Sequence, residues 1–126
     1  MGFWIFMTLM TMLLPLVMLL LGLYFTRKSP KEINYLFGYR TTRSMKNKDT
    51  WEFAHKKIGK LWLAVGAIIL PVSAVIMVLV LGQSKDVIGN TGSVIVLLQL
   101  VPLIATIFPV EKALKENFDE EGNKIK

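Results

Sequence analysis

The sequence predicts an all-α integral membrane protein with three transmembrane helices in a single domain, residues 1–126. Three uncharged apolar blocks support this prediction, at residues 2–25, 61–82 and 93–110, and nearly every charged side chain lies between or after them. A run of about 18 or more uncharged apolar residues is typical of a helix that crosses a bilayer. The 53% hydrophobic content is only modestly above that of soluble proteins. It is therefore the grouping of apolar residues into three blocks that indicates a membrane protein. We therefore expect a multi-pass protein of a cell membrane.

The first block favours a retained helix over a cleaved signal peptide. Its 24 residues would measure about 36 Å as a helix, more than the hydrocarbon core of ~30 Å. A signal peptide would begin with basic residues and have a shorter apolar region. Here the basic residues Arg27 and Lys28 follow the block instead. Pro15 lies inside it and predicts a bend.

The second and third blocks complete the predicted bundle. They contain Pro71, Pro102 and Pro109, which membrane helices tolerate when neighbouring groups satisfy the freed carbonyls. The segment between them, residues 83–92, is short and polar and contains Gly89-Asn90, so it is predicted to be a turn. Gln99 is the costliest polar side chain to leave facing lipid and is expected to face the bundle or a partner.

The basic residues predict the orientation. Residues 83–92 contain only Lys85. Residues 26–60 contain ten basic side chains: Arg27, Lys28, Lys31, Arg40, Arg43, Lys46, Lys48, Lys56, Lys57 and Lys60. Short loops rich in Lys and Arg remain in the cytoplasm. The amino terminus should therefore face outward, with the loop 26–60 and the tail 111–126 inside. In the tail we expect a short solvated helix that stops near Gly122-Asn123 and then frays.

The net charge of +6 is explained by this topology and by attraction to anionic lipids, so no nucleic-acid partner is predicted. Membrane lipids are the expected surroundings. The chain has no cysteine and a single histidine, so the sequence supports no metal site. No cofactor is predicted.

A long second helix is predicted to begin in the cytoplasmic loop. Asp49-Thr50-Trp51-Glu52 has the spacing of a capping box, and no stop signal follows before the second span. At about 100° per residue, one face of this helix carries two tryptophans, a histidine, an isoleucine and two glycines: Trp51, His55, Ile58, Gly59, Trp62 and Gly66. Packing against a neighbouring helix explains such a face, and His55 is then a hydrogen-bonded structural residue. A ligand-binding role for His55 is the alternative.

Residues 34–44 are predicted to form an interfacial or re-entrant segment. Gly38 permits a tight turn, and Tyr35, Phe37 and Tyr39 suit the headgroup level. A polar site is expected nearby from five side chains: Arg40, Thr41, Ser44, Asn47 and His55.

Residues 38–68, GYRTTRSMKNKDTWEFAHKKIGKLWLAVGAI, resemble the signature of the SdpI family. These are membrane immunity proteins that protect Gram-positive bacteria from a sporulation-delaying peptide toxin. The matching positions are Gly38, Arg40, Thr41, Ser44, Asn47, Trp51, His55 and Gly59, with Gly66 further along. This chain resembles the single-domain members, whereas the founding protein has additional spans, and Ala54 stands where a hydroxyl residue is common. The resemblance implies toxin resistance, while the founding protein's link to a transcriptional repressor depends on a partner that this sequence does not specify.

Two classes of function follow from these observations, while a transporter or channel stays open but is disfavoured because no span contains a charged side chain. The first is an immunity protein that binds or neutralises a peptide toxin, with an apolar groove between spans as the binding surface and a signalling role as an extension. The second is a membrane enzyme or lipid-headgroup-binding protein that uses Arg40, Asn47 and His55 at the cytoplasmic interface. No nucleophile–base pair or paired carboxylates support catalysis. A homodimer is a further expectation, with Gly22, Gly59 or Gly66 as close-contact points.

Overall fold

The computed structural model describes residues 1–28 and 38–125. Its helices are α1 (Gly2–Arg27), α2 (Lys48–Leu79), α3 (Lys85–Ala105) and α4 (Ile107–Asn117). Three candidate spans are long and apolar enough to cross a membrane: Gly2–Arg27, Lys48–Leu79 and Lys85–Asn117, the last combining α3 and α4. The prediction of an all-helical chain with three helices long and apolar enough to span a membrane is confirmed. The orientation, the cytoplasmic extension of α2 and the exact membrane boundaries remain predictions. The predicted positions of Tyr35 and Phe37 lie outside the described residues.

The start of α2 lies close to its predicted position but has a different cap. The N-cap is Asn47, whose Oδ1 accepts from the Thr50 amide at 2.9 Å. Thr50 Oγ1 accepts in return from the Asn47 amide at 3.1 Å, which closes a reciprocal capping box. The predicted box at Asp49 and Glu52 was therefore wrong by two residues. Asn47 takes the cap because its side chain reaches the third helical amide, while Asp49 already lies in the first turn, where its charge favours the helix dipole.

The turn before α3 is shorter than predicted. The chain turns at Gly82, with a φ of 85°, and α3 already begins at Lys85 because Ser84 Oγ accepts from the Val87 amide at 3.3 Å. Gly89-Asn90 is helical, so its assignment to a turn was wrong. A serine cap followed by Asp86 in the first turn outweighs the weak helix propensity of these two residues.

The third span breaks between α3 and α4. Pro109 is the third residue of α4, a position whose amide needs no partner within the helix. In a continuous helix Pro109 would instead leave the carbonyl of Ala105 without a donor and press against it. The break at Thr106 resolves this conflict, and Thr106 Oγ1 bonds the Leu103 carbonyl at 2.6 Å.

α1 and α2 are antiparallel and approach through glycines. A Cβ built on Gly59 would lie 2.8 Å from the Gly22 carbonyl oxygen and 2.9 Å from the Thr26 amide nitrogen. One on Gly66 would lie 3.0 Å from Leu19 Cγ. In a membrane, where lipid is as apolar as leucine, such close packing is a main source of helix association.

The interior has two apolar clusters with a polar layer between them. The loop-side cluster consists of Phe25, Tyr39, Ala54, Ile58, Val110, Leu114 and Phe118. The turn-side cluster consists of Met77, Ile88 and Ile95, with Phe3, Trp4 and Met7 packed on it. The polar layer is Thr11, Ser73 and Gln99, all buried. Gln99 thus faces the bundle, one of the two predicted positions.

The predicted face of α2 is the buried one. Trp51, His55, Ile58, Gly59 and Gly66 are buried and Trp62 is half-buried. Lys56, Lys57 and Lys60, which do not belong to that face, are exposed, so the helical periodicity identified the buried face correctly. This face brings the histidine against α1 and the end of the loop.

Candidate functional site

His55 lies at the centre of the signature and uses both ring nitrogens on the backbone. Nε2 accepts from the Tyr39 amide at 2.9 Å, and Nδ1 donates to the Trp51 carbonyl at 2.7 Å. The ring is fully buried, with Phe25 edge-on at 4.8 Å and Trp51 tilted at 4.3 Å between ring centroids. Because one partner is a donor and the other an acceptor, the pair specifies a neutral ring with its single proton on Nδ1. No lone pair is left for proton transfer or for a metal.

Thr41 and Ser44 form a closed turn just before α2. Ser44 Oγ accepts from the Thr41 amide at 2.8 Å, and Thr41 Oγ1 accepts from the Ser44 amide at 3.2 Å. The Ser44 hydroxyl also lies 3.1 Å from the Tyr39 carbonyl, to which it can donate. Gly38 precedes the turn with a φ of 109°, a conformation that favours glycine. The turn presents the Tyr39 amide to His55.

Asn47 joins the loop to the tail. While Oδ1 caps α2, Nδ2 donates to the Gly122 carbonyl at 2.7 Å. Gly122 has a φ of 88°, and a Cβ there would lie 2.6 Å from Asn47 Nδ2. Thr50 strengthens the same junction, since its hydroxyl lies 3.0 Å from the Ser44 carbonyl.

The tail is ordered where fraying was predicted. Beyond α4 it folds back in a tight turn, with an isolated bridge between Phe118 and Lys124. Asp119 Oδ1 accepts from the Asn123 amide at 2.8 Å and from the Glu121 amide at 3.0 Å, and these bonds lower the Asp119 pKa. Phe118 packs edge-on against Phe53 at 5.4 Å. The predicted helix stop near Gly122-Asn123 was wrong, since α4 ends at Asn117, and the residues after Asn123 were predicted to fray. Local bonds of Asp119 and contacts with Phe53 and Asn47, far away in the chain, hold this turn instead.

Tyr39 ties the loop to α4 through a residue that the sequence analysis did not select. Its hydroxyl donates to Glu111 Oε1 at 2.8 Å. Burial, followed by the Glu111 carboxylate, raises the Tyr39 pKa well above its usual value, so the phenol stays protonated and keeps donating. The alternation of aromatic residues near position 39 gave no indication of the partner.

Arg40 points away from this junction. It is exposed and borders an open depression with Thr41, Thr42, Met45 and Lys46. Across the described ranges, Arg40, Asn47 and His55 share no cavity, so the predicted convergence into one polar site is not seen. The structure instead joins Thr41, Ser44, Asn47 and His55 into a network that we call the loop junction. In residues 1–28 and 38–125 no group of three potential metal-binding side chains occurs.

The loop junction lies within a region that matches a known family. The model of the SdpI/YfhL protein family matches residues 31–110, well over half of the chain. The chain belongs to this family. It is similar to the uncharacterized protein YfhL of Bacillus subtilis (strain 168), with 30% identity over 110 residues that cover 84% of this chain and 86% of the relative. No solved structure matches the chain. The family prediction made from the signature is therefore confirmed.

Proposed function

We propose that this protein protects a bacterial membrane against a membrane-active peptide toxin. Family membership is the observation that carries the proposal, since the SdpI/YfhL model covers the loop junction, the second span and most of the third. The three-span architecture supports it, because the spans place apolar helix surface inside the bilayer, where such toxins act.

The loop junction favours a binding protein over an enzyme. An acid–base catalyst needs a ring nitrogen or carboxylate that can reach a substrate. Both His55 nitrogens are instead bonded to backbone groups, and the Asn47 amide is divided between a helix cap and the tail. The signature therefore acts as a scaffold that holds the loop, α2 and the tail together. Recognition of a toxin is left to the spans or to the outer surface.

Lipid-headgroup binding is the second candidate, supported by Arg40. Its guanidinium is exposed beside Lys46 and suits two-pronged contact with a phosphate. Under the predicted topology both residues face the anionic inner leaflet. If the depression binds headgroups specifically, Arg40→Ala will weaken binding to phosphatidylglycerol vesicles more than Lys57→Ala, a change at an exposed lysine outside the depression.

The primary proposal is tested by survival and membrane potential in toxin-sensitive bacteria. Cells expressing this protein, or an unrelated three-span membrane protein at the same membrane level, receive sporulation-delaying peptide. We expect potential and viability to be preserved only with this protein. Equal collapse in both strains, despite correct insertion, would refute protection against that toxin.

A further inference from the structure

An apolar groove runs along the bundle between α2 and α3. Its volume is about 180 Å³, and its lining belongs to three turns of α2 and two of α3: Ile68, Ile69, Val72, Ser73, Ile76, Ile95, Leu98, Gln99 and Pro102. The rim is exposed, with Val72 at 53% and Leu98 at 63%, whereas Ser73 and Gln99 below are 3% and 4% exposed. The groove thus opens toward the surroundings, and Ser73 and Gln99 are buried beneath its apolar surface.

The side-chain amide of Gln99, beneath this groove, has both of its Nε2 protons in hydrogen bonds, whereas its Oε1 has no donor among the described residues. Its Nε2 donates to the Thr11 carbonyl at 2.8 Å and to Ser73 Oγ at 2.9 Å. The Thr11 carbonyl can only accept, which fixes the orientation of the amide. Oε1 is buried and accepts no hydrogen bond from the described residues. An amide oxygen without a donor in an apolar interior is unfavourable, so a partner that supplies one is favoured.

The depth of Gln99 limits what can supply that donor. It follows Lys85 by 14 residues of helix, a rise of about 21 Å, and it contacts Thr11 and Ser73, which lie inside the apolar parts of α1 and α2. The polar layer is therefore well inside a hydrocarbon core of ~30 Å. Headgroups do not reach this depth, and acyl chains carry no donor.

A second copy of the chain does not fit either. Within the described spans, Thr11 and Ser73 are buried in the bundle and the Thr8 hydroxyl oxygen is covered. The exposed mid-span residues are apolar, such as Leu13 and Val101. A second copy would thus place hydrocarbon, and no donor, over Gln99.

We propose that the α2–α3 groove binds a membrane-spanning peptide helix whose side-chain hydroxyl or amide N–H donates to Gln99 Oε1. Apolar residues of that helix pack between Val72 and Leu98. Because Oε1 is covered in the free bundle, the side chains that cover it shift as the helix enters. The identification of this peptide with the toxin rests on the proposed function. The binding site itself is tested with synthetic peptides, independently of that function.

The acceptor is tested on the unaltered protein with two synthetic helices. Both are fluorescent leucine–alanine transmembrane peptides, one with a central serine and the other with alanine there. Binding to the purified protein is followed by energy transfer in phosphatidylcholine vesicles. One interhelical hydrogen bond corresponds to roughly 3- to 15-fold tighter binding of the serine peptide. Equal binding of the two peptides would overturn the role of Gln99.

The groove is tested with tryptophans at matched exposed positions of α2. Val72 lines the groove, whereas Val75, with a similar exposure of 59%, does not. Val72→Trp should weaken serine-peptide binding by about tenfold or more, and Val75→Trp should leave it within about twofold, as expected for a blocked and an open contact surface. Equal effects would overturn the groove. If Val72→Trp does not fold, Leu98→Trp and its control Leu97→Trp repeat the comparison on α3, where only Leu98 lines the groove.

Two further results separate this inference from the proposed function. If the wild-type protein protects cells and Val72→Trp protects equally well, the groove is not the toxin-binding site, while the proposed protective function is supported. If the serine peptide binds in the groove but the wild-type protein gives no protection, the groove is a peptide-binding site and the proposed protective function is contradicted. Self-association of the chain that Val72→Trp abolishes would assign the groove to a second copy and overturn the proposal.

Discussion

His55 shows how one buried residue can look catalytic in sequence and be structural in the folded chain. The imidazole joins a loop amide to a helix carbonyl, and the ring nitrogen is the acceptor that satisfies the buried Tyr39 amide. The aromatic rings of Phe25 and Trp51 surround it. Burial and complete bonding make the ring a fixed link between the loop and α2.

We therefore predict that His55→Ala lowers the free energy of unfolding by about 2–4 kcal/mol, because it leaves a cavity and the Tyr39 amide without its acceptor. Thermal denaturation in detergent, followed by circular dichroism, measures the change. Lys56→Ala, at the exposed neighbouring position, should have little effect. Loss of protection in a His55→Ala variant of normal stability would contradict the structural role.

At the scale of the helices, close contact between α1 and α2 determines the bundle. Gly22, Gly59 and Gly66 are all buried against the partner helix within one chain. Because these glycines already contact a helix of the same chain, they are not available as the close-contact points predicted for a homodimer. Any association between copies has to use other faces.

Gly59→Ala is predicted to destabilise the bundle by about 1–3 kcal/mol, as overpacking does, because its Cβ would meet backbone atoms that cannot move aside. Gly89→Ala provides the matched control. There a Cβ would lie 3.5 Å from the Phe3 ring, an ordinary contact. Both variants are compared by thermal denaturation in the same detergent. If Gly59→Ala is as stable as Gly89→Ala, the glycine contact does not hold the two helices together.

At the scale of the whole molecule, charge and packing divide the bundle into two unlike ends. The loop junction, the tail turn and most basic residues lie at one end, and the short turn at Gly82 lies at the other. The excess of Lys and Arg predicts that the loop-junction end is cytoplasmic.

Cysteine labelling tests this orientation, since the natural chain has no cysteine. Gln83→Cys, in the exposed turn between α2 and α3, should react with a membrane-impermeant maleimide added to intact cells. Glu120→Cys, exposed in the tail, should react only after the membrane is permeabilised. Both should react equally in detergent, which controls for local accessibility. The reversed pattern would show that the basic loop faces outward.

The sequence by itself determined the three spans, the family and the buried face of α2. These features are local, because uncharged length and helical periodicity can be measured along one segment without knowing what packs against it. The cap of α2 and the start of α3 were placed less accurately. Several caps compete within a few residues, and small differences in side-chain reach select one of them.

Only the tertiary structure decided what the polar side chains do. Asn47 bonds Gly122, Tyr39 bonds Glu111, and Gln99 bonds Thr11, in pairs separated by 75, 72 and 88 positions in the chain. Nothing in the residues next to each partner identifies the other, since a hydrogen bond depends on distance and direction in space. The packing of α1, α2 and α3 sets those distances. It turned a predicted polar site into a scaffold. Among the described residues it also left the buried Gln99 oxygen, beside the α2–α3 groove, without a hydrogen-bond donor.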